Sequence, residues 1–200
     1  NDGNCKKLTP DKYGSVSIAD LHKQSSSYIW ADEPVFESNG IVRFISDLPS
    51  SESCVKKSIW EISVGSGDMK MLYTLDTDSY RVLGYDDDGM LLVLDGSTLA
   101  SVNTEDGTVS KAETGDKQIL SMSPDGSKMI YVKRNKLGSA DWSALYMMGS
   151  GGTSSVKLPG IQGYQATSTG LWNSDGNEYL FIAKSLWNSR DRIGLIEFGE

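Results

Sequence analysis

The sequence has little of what most catalytic and metal sites need, with one histidine and two cysteines in 200 residues. A serine hydrolase needs a positioned base, and His22 is the single histidine, with no Gly-x-Ser-x-Gly elbow to accompany it. We therefore predict no catalytic residue. A metal site is not expected either, because there is no Cys-x-x-Cys spacing and no second histidine. We expect no cofactor.

Long apolar runs and basic residues are also scarce. No run approaches the roughly 18 to 20 apolar residues that a transmembrane helix needs, so we predict no membrane span. The chain has 19 Lys and Arg against 27 Asp and Glu, for a net charge of −8. A nucleic-acid partner would need a concentrated basic surface, and none is expected here. The hydrophobic fraction of 38% against 23% charged residues excludes a disordered chain.

The sequence is organised around a segment from Ile119 to Lys133, ILSMSPDGSKMIYVK. Its second half, Met129 to Val132, is a short apolar run of β-forming residues and predicts a strand covered on both faces. Between its two apolar halves, Pro124 pre-sets φ for a turn and Gly126 tolerates the positive φ that closes it. The segment therefore predicts a β-hairpin.

Weaker copies of this hairpin recur along the chain. Their turn glycines are 49, 37 and 50 residues apart, at Gly40, Gly89, Gly126 and Gly176. A period of about 40 to 50 residues with about four short strands in each unit is typical of propeller blades. The sequence thus predicts an all-β protein built from repeated four-stranded sheets.

The turn Ser123 to Gly126, SPDG, resembles the turn between the first two strands of each blade in TolB-type and related WD-like β-propellers. The copies at Glu37–Gly40, Asp86–Gly89 and Asn173–Gly176 lack the proline. The resemblance extends over residues 33 to 198. It implies a β-propeller of about four four-stranded blades and, because many such propellers are exported, it favours a protein of the bacterial envelope or exterior.

Composition agrees with export, since Ser, Thr, Gly and Asn are abundant and Trp and Tyr are frequent. We expect a secreted or cell-envelope protein whose signal has been removed. In such a compartment Cys5 and Cys54 could form a disulfide that joins the N-terminal arm to the first blade, whereas in the cytosol both would remain thiols.

Residues 1–30 do not follow the repeat and are interpreted as an N-terminal arm before a repeat domain at 31–200. Tyr13 to Ile18 is a candidate strand, and Ala19 to His22 a candidate short helical segment. The last repeat ends with its third strand, near Ile193 to Phe198. The arm strand could complete that sheet and close a four-bladed ring. Alternatively, the blades belong to a longer propeller, or another chain covers the edge, which leaves a monomer or an edge-paired dimer.

Three long connections between second and third strands are predicted to lie on one face of the repeats: Asp47 to Lys57, Arg134 to Trp142, and Ser185 to Asp191. They carry cationic and aromatic residues of the kinds enriched in binding hot spots, namely Lys56, Arg134, Lys136, Trp142, Trp187 and Arg190. On an acidic body, this face favours an anionic, peptide or glycan partner, and we expect a protein, a peptide or a glycan to bind there. The alternative for Trp142 and Trp187 is packing between blades.

The sequence therefore predicts a non-catalytic extracytoplasmic binding or interaction module. An alternative is a carbohydrate- or peptide-processing hydrolase or lyase that acts through carboxylates. A third is a propeller fragment that acts only in a larger assembly.

Overall fold

The computed structural model describes residues 7–8, 12–13, 16–17, 20, 31–36, 40–48, 56–152, 154–167, 169–188 and 190–199. They fall into two compact units, Asn1–Asp76 and Thr77–Glu200. The described strands form four four-stranded antiparallel sheets and one short hairpin, which confirms the all-β prediction. No helix in the described ranges is both long and apolar enough to cross a bilayer.

The first unit contains one four-stranded sheet, whose strands follow chain order: β3 (Ala31–Phe36), β4 (Ile41–Ser46), β5 (Ser58–Ser63) and β6 (Met69–Thr74). Its core lies on β4 and β5, whose residues are buried in continuous runs at Arg43–Ser46 and Ser58–Trp60. The buried cluster consists of Phe44, Leu48, Trp60 and Ile62. The sheet therefore has a core of its own.

The N-terminal arm differs from the prediction of one strand over Tyr13–Ile18. Instead, β1 (Lys12–Tyr13) and β2 (Val16–Ser17) pair with each other as a two-stranded antiparallel hairpin, in which Tyr13 is opposite Val16. The prediction of one continuous strand over these residues is therefore wrong, and closure of a ring by the arm stays a prediction. The predicted helical segment Ala19–His22 lies outside the described residues except for Asp20, and so do Cys5 and Cys54.

The second unit begins with two four-stranded sheets in chain order. The first comprises β7 (Tyr80–Tyr85), β8 (Leu91–Asp95), β9 (Thr98–Val102) and β10 (Val109–Glu113). The second comprises β11 (Lys117–Met122), β12 (Lys128–Arg134), β13 (Ala140–Gly149) and β14 (Val156–Lys157). As its apolar run predicts, β12 is buried on both faces, at Met129, Ile130, Tyr131 and Val132.

The last sheet has an interrupted first strand. Both β15 (Tyr164–Ala166) and β16 (Leu171–Trp172) pair with the same edge of β17 (Glu178–Ser185), and β18 (Asp191–Glu197) pairs with the other edge. The sheet therefore has three strand positions where the others have four. Among the described residues no strand pairs with the outer edge of β18, which confirms that it is the third strand.

Successive sheets of the second unit share buried clusters. One lies between the sheets β7–β10 and β11–β14 and consists of Leu92, Ile119, Met122, Met129, Tyr131 and Met148. The next lies between β11–β14 and β15–β18 and includes Leu120, Ile130, Val132, Leu145, Tyr179, Phe181 and Ile196. The order of these sheets along the chain is thus their order in space, as in face-to-face sheet packing.

The glycine turns of the second unit lie one against the next. Gly126 has φ +74°, and a Cβ atom built on it would lie 2.2 Å from the carbonyl oxygen of Tyr85, at the turn of the preceding sheet. Gly176 has φ +67°, and a Cβ there would lie 3.4 Å from Oδ1 of Asp125. The turns at Gly89, Gly126 and Gly176 are therefore equivalent and lie in contact in chain order.

Candidate functional site

A polar cleft of about 270 Å³ opens within the second unit, at the ends of strands β7, β11 and β12 that lie away from the SPDG turn. Because β12 runs from Lys128, beside that turn, to Arg134, its last residue lies at the opposite edge of the sheet. This is the side on which the sequence predicted a binding face. The lining residues are Ser79, Tyr80, Arg81, Leu94, Gly96, Gln118, Ile119 and Arg134.

Arg134 is held in the cleft by its backbone. Its N–H donates a 2.6 Å hydrogen bond to the carbonyl oxygen of Asp116, and it pairs with Ala140 of β13. The residue is half-buried. In the part of the chain that the structure describes, its guanidinium group has neither a hydrogen bond nor an ion pair. The positive charge of Arg134 therefore has no compensating carboxylate among those residues.

Arg81 reaches the same cleft from β7. Its Nη1 donates to the carbonyl oxygen of Leu120, on the next sheet, and to Oγ1 of Thr169 at 3.3 Å, on the sheet after that. Both acceptors are neutral, so they fix the position of the guanidinium group without cancelling its charge. One arginine thus links three successive sheets at the edge of the cleft.

The mouth of the cleft is braced by the short loop between β8 and β9. The Gly96 N–H donates a 2.7 Å hydrogen bond to the carbonyl oxygen of Ser79. Beside it, the buried carboxylate of Asp95 accepts from the backbone N–H of Thr77 at 2.9 Å and from its hydroxyl at 2.7 Å. The Asp95 carboxylate therefore holds the loop in place, and this wall of the cleft is preformed.

This arrangement suits an anion. Arginine presents a planar fork of donors that matches a carboxylate in two parallel hydrogen bonds, and Gln118 is a neutral lining residue of the same cleft. The cleft is smaller than the roughly 300 to 1,000 Å³ of sites for drug-sized ligands. It would hold one charged group or one monomer of a longer chain.

The connection predicted to be long at Arg134–Trp142 is short. β12 ends at Arg134 and β13 begins at Ala140, so residues 135–139 alone form the turn. Lys136 lies on this turn, exposed and outside the cleft. Trp142 lies within β13, half-buried and packed against the cluster between the last two sheets. These surroundings are the ones expected if Trp142 packs between blades. Trp142 lies in a strand because β13 begins at Ala140, earlier than its polar sequence indicates.

The other two predicted residues lie after β17, in a connection that runs from residue 186 to residue 190 as expected. Trp187 is 77% exposed, with its ring against Gly163, where a Cβ atom would lie 1.9 Å from Cζ3. Arg190 is exposed, and its N–H donates to Oδ1 of Asn188 at 3.0 Å. Neither lines the cleft, so of the five predicted binding residues in the second unit the structure brings only Arg134 into it. The sixth, Lys56, is exposed and belongs to the first unit.

No protein-family model matches the sequence, and the curated proteins include no significant match. Among solved structures, TolB from Acinetobacter baumannii is similar, with a TM-score of 0.55 and 14% identity over 85% of this chain and 41% of that one. Oligogalacturonate lyase from Vibrio parahaemolyticus has a TM-score of 0.53 and 16% identity over 86% and 50% of the two chains. Acylaminoacyl peptidase from Pyrococcus horikoshii has a TM-score of 0.55 and 13% identity over 90% and 32%.

These likenesses confirm the TolB-like propeller fold that the SPDG turn predicted. At such identities they show the fold alone, and the same fold includes a TolB protein, a lyase and a peptidase. The chain spans half or less of the length of each of these three structures.

Proposed function

We propose that this chain is a non-catalytic binding module that recognises a carboxylate group of a peptide or glycan in the Arg81–Arg134 cleft. The observation that carries the proposal is that two arginines line one polar cleft, with neutral acceptors on Arg81 and no described partner on the Arg134 side chain. A bidentate ion pair would satisfy Arg134 and neutralise the cleft.

The charge of the whole chain makes this site distinctive. At a net charge of −8, the surface repels anions at long range, so binding would depend on the local field of the two arginines. Since surface electrostatics are screened over about 10 Å at 0.1 M salt, the affinity should fall as salt is added. The affinity of a ligand that binds through apolar contacts would not fall as salt is added.

An extracytoplasmic location belongs to the same proposal. It is supported by the abundance of Ser, Thr, Gly and Asn and by the frequency of Trp and Tyr. Carboxylate-bearing glycans and peptides are also available outside the cell.

The test uses two carboxylate probes of different origin, an oligogalacturonate and a poly-glutamate peptide, with a neutral galactose oligomer as the comparison. The first probe is suggested by the name of the Vibrio neighbour and carries one carboxylate on each sugar. Calorimetry should show binding of at least one acidic probe and none of the neutral one. Preference between the acidic probes would identify a glycan or a peptide as the ligand class.

Arg134→Gln should weaken that binding at least about tenfold, because a lost charged hydrogen-bonded pair is worth more than about 1.4 kcal/mol. Lys136→Gln is the matched control, since it removes the same charge two residues away and outside the cleft. Equal losses in the two variants would refute the site. Conversion of either probe to products by the wild-type chain would instead favour the hydrolase or lyase alternative.

A further inference from the structure

The first strand of the last sheet is interrupted between Ala166 and Leu171, a segment that we call the break. Ala166 is opposite Ala183 and Leu171 is opposite Leu180, so four residues of the break face two residues of β17. Extra residues on one strand of an antiparallel pair bend that strand and aim a side chain in a new direction. The break therefore has the length to present a residue to another sheet.

Both ends of the break are tied to β17. The N–H of Thr167 donates to the carbonyl oxygen of Ile182 at 3.1 Å. The N–H of Gly170 donates to the buried hydroxyl of Tyr179 at 2.7 Å. A Cβ atom on Gly170 would lie 2.1 Å from the carbonyl oxygen of Leu180, so glycine lets the chain return closely onto β17.

Between these ends, Thr169 reaches the arginine of the cleft. Its hydroxyl accepts a 3.3 Å hydrogen bond from Nη1 of Arg81, which lies 88 residues earlier and two sheets away. The same Nη1 donates to the carbonyl oxygen of Leu120 on β11. Just after the break, Nε1 of Trp172 donates to Oγ of Ser121 on β11 at 3.2 Å. The break is thus attached to β7 and β11, which line the cleft, as well as to its own sheet.

The contact with Thr169 uses only part of the Arg81 guanidinium group. In the part of the chain that the structure describes, the hydrogen bonds of this group come from Nη1, and Nε and Nη2 have no acceptor there. Nε and Nη2 donate in parallel from one edge of the planar group, in a geometry that pairs with a carboxylate. A ligand in the cleft and Thr169 therefore use different donors of one guanidinium group.

Each of these two contacts makes the other more favourable. An arginine side chain loses rotamer freedom when it is fixed, and that entropy is lost once, whichever partner binds first. Because Thr169 already orders Arg81, the ligand meets a preorganised group of donors. By linkage, a ligand whose affinity is raised by the Thr169 contact strengthens that contact by the same factor. The shared arginine therefore couples the cleft to the break.

We propose that the break is a ligand-responsive element: a carboxylate in the cleft tightens the last sheet at Thr169 and Gly170 through Arg81. The inference rests on the proposed function, because the ligand is the carboxylate assigned to this cleft. Its consequence is that occupancy of the cleft, on the first two sheets of the second unit, changes the stability of the third.

The first measurement is hydrogen exchange of the Gly170 amide by NMR. It uses the whole chain with and without the acidic probe that binds, oligogalacturonate or poly-glutamate. The probe should slow this exchange at least about fivefold, the lower end of typical couplings between sites. Exchange in β10, which contributes no residue to the cleft, should stay the same. Equal slowing at Gly170 and in β10 would mean general stabilisation and would overturn the proposal.

Thr169→Val removes the hydroxyl with little change of shape. It should weaken binding of the probe about threefold or more in calorimetry, as expected for one hydrogen bond, and abolish the slowing of exchange at Gly170. Thr167→Val is the matched control, because the hydroxyl of Thr167 donates to the carbonyl oxygen of Ile182 at 3.3 Å rather than accepting from Arg81. It should leave the affinity unchanged. Thr169→Ser keeps the hydroxyl and should bind the probe as the wild type does.

The outcomes distinguish this inference from the proposed function. A wild-type chain that binds neither acidic probe refutes the carboxylate site, and this inference with it. Binding with unchanged exchange at Gly170 refutes the coupling alone and leaves the carboxylate site in place. Equal affinities of Thr169→Val and Thr167→Val for the probe have the same meaning.

Discussion

The carbonyl oxygen of Tyr85 lies 2.2 Å from the position that a Cβ atom on Gly126 would occupy. These two residues belong to neighbouring sheets, and their contact joins the turn of one sheet to the turn of the next. Two separate constraints therefore favour glycine at position 126: the positive φ and the lack of space for any side chain.

Replacing Gly126 by alanine should destabilise the chain far more than the same change at Gly89. Gly89 has φ +77° and nothing within 4 Å of a built Cβ, so Gly89→Ala has only the left-handed backbone cost of about 1 to 2 kcal/mol. Gly126→Ala adds a backbone clash, which we expect to raise the loss by a further 1 to 3 kcal/mol or so. Urea unfolding followed by tryptophan fluorescence measures both. Equal losses of stability in the two variants would mean that the two turns can move apart without a loss of free energy.

Acid should weaken the SPDG turn. The hydroxyl of Ser123 donates to Asp125, as do the N–H and hydroxyl of Ser127, and together these hydrogen bonds lower the pKa of Asp125 from 3.8 to about 2. Since the folded pKa lies below the unfolded one, the ionised carboxylate stabilises the fold above about pH 4. That stabilisation is lost as the pH falls from about 4 towards 2.

The measurement is the free energy of unfolding at pH 5 and pH 2.5. Asp125→Asn should lose less stability between these two values than the wild type. Asp88→Asn is the matched variant, because Asp88 holds the same turn position, with Asp86 where the SPDG turn has its serine. We expect Asp88→Asn to follow the wild-type acid dependence. If it changes that dependence as much as Asp125→Asn does, the serine hydrogen bond is not the cause.

Tyr179→Phe should destabilise the last sheet. The Gly170 N–H donates a 2.7 Å hydrogen bond to the hydroxyl of Tyr179, which is fully buried, and burial raises the pKa of that hydroxyl. Without the hydroxyl, a buried N–H is left without an acceptor, at a cost of about 1 to 3 kcal/mol. Tyr164→Phe, on the same sheet but half-buried, is the comparison. Thermal unfolding should separate the two variants, and coincident melting curves would contradict the argument.

The repeated sheets could be predicted from the sequence because their signals are local. A Pro-Asp-Gly turn and the apolar run Met129–Val132 lie within a dozen residues, and both determine backbone geometry directly. The degenerate copies at Gly89 and Gly176 carry the same glycine requirement, which the structure shows as positive φ at each.

Only part of the candidate site could be predicted from the sequence in this way. Arg134 was selected because it begins a predicted long connection, but Arg81 lies 53 residues earlier, and its place in the cleft depends on how three sheets pack. A signal did exist, because Arg81 interrupts the apolar strand YRVLGY. Trp142 was placed in a loop because Gly138 and the polar residues around it resemble a loop, whereas sheet pairing extends β13 to Ala140.

The contacts of Gly126 and Gly176 with the turn before each also bear on how such a chain could have arisen. A duplicated copy of about 40 residues would carry its own glycine turn, and that turn would fit against the parent without any change in either sequence. Gene duplication could therefore lengthen this protein one sheet at a time, and later drift would remove the proline and serine from the copies before it could remove the glycine.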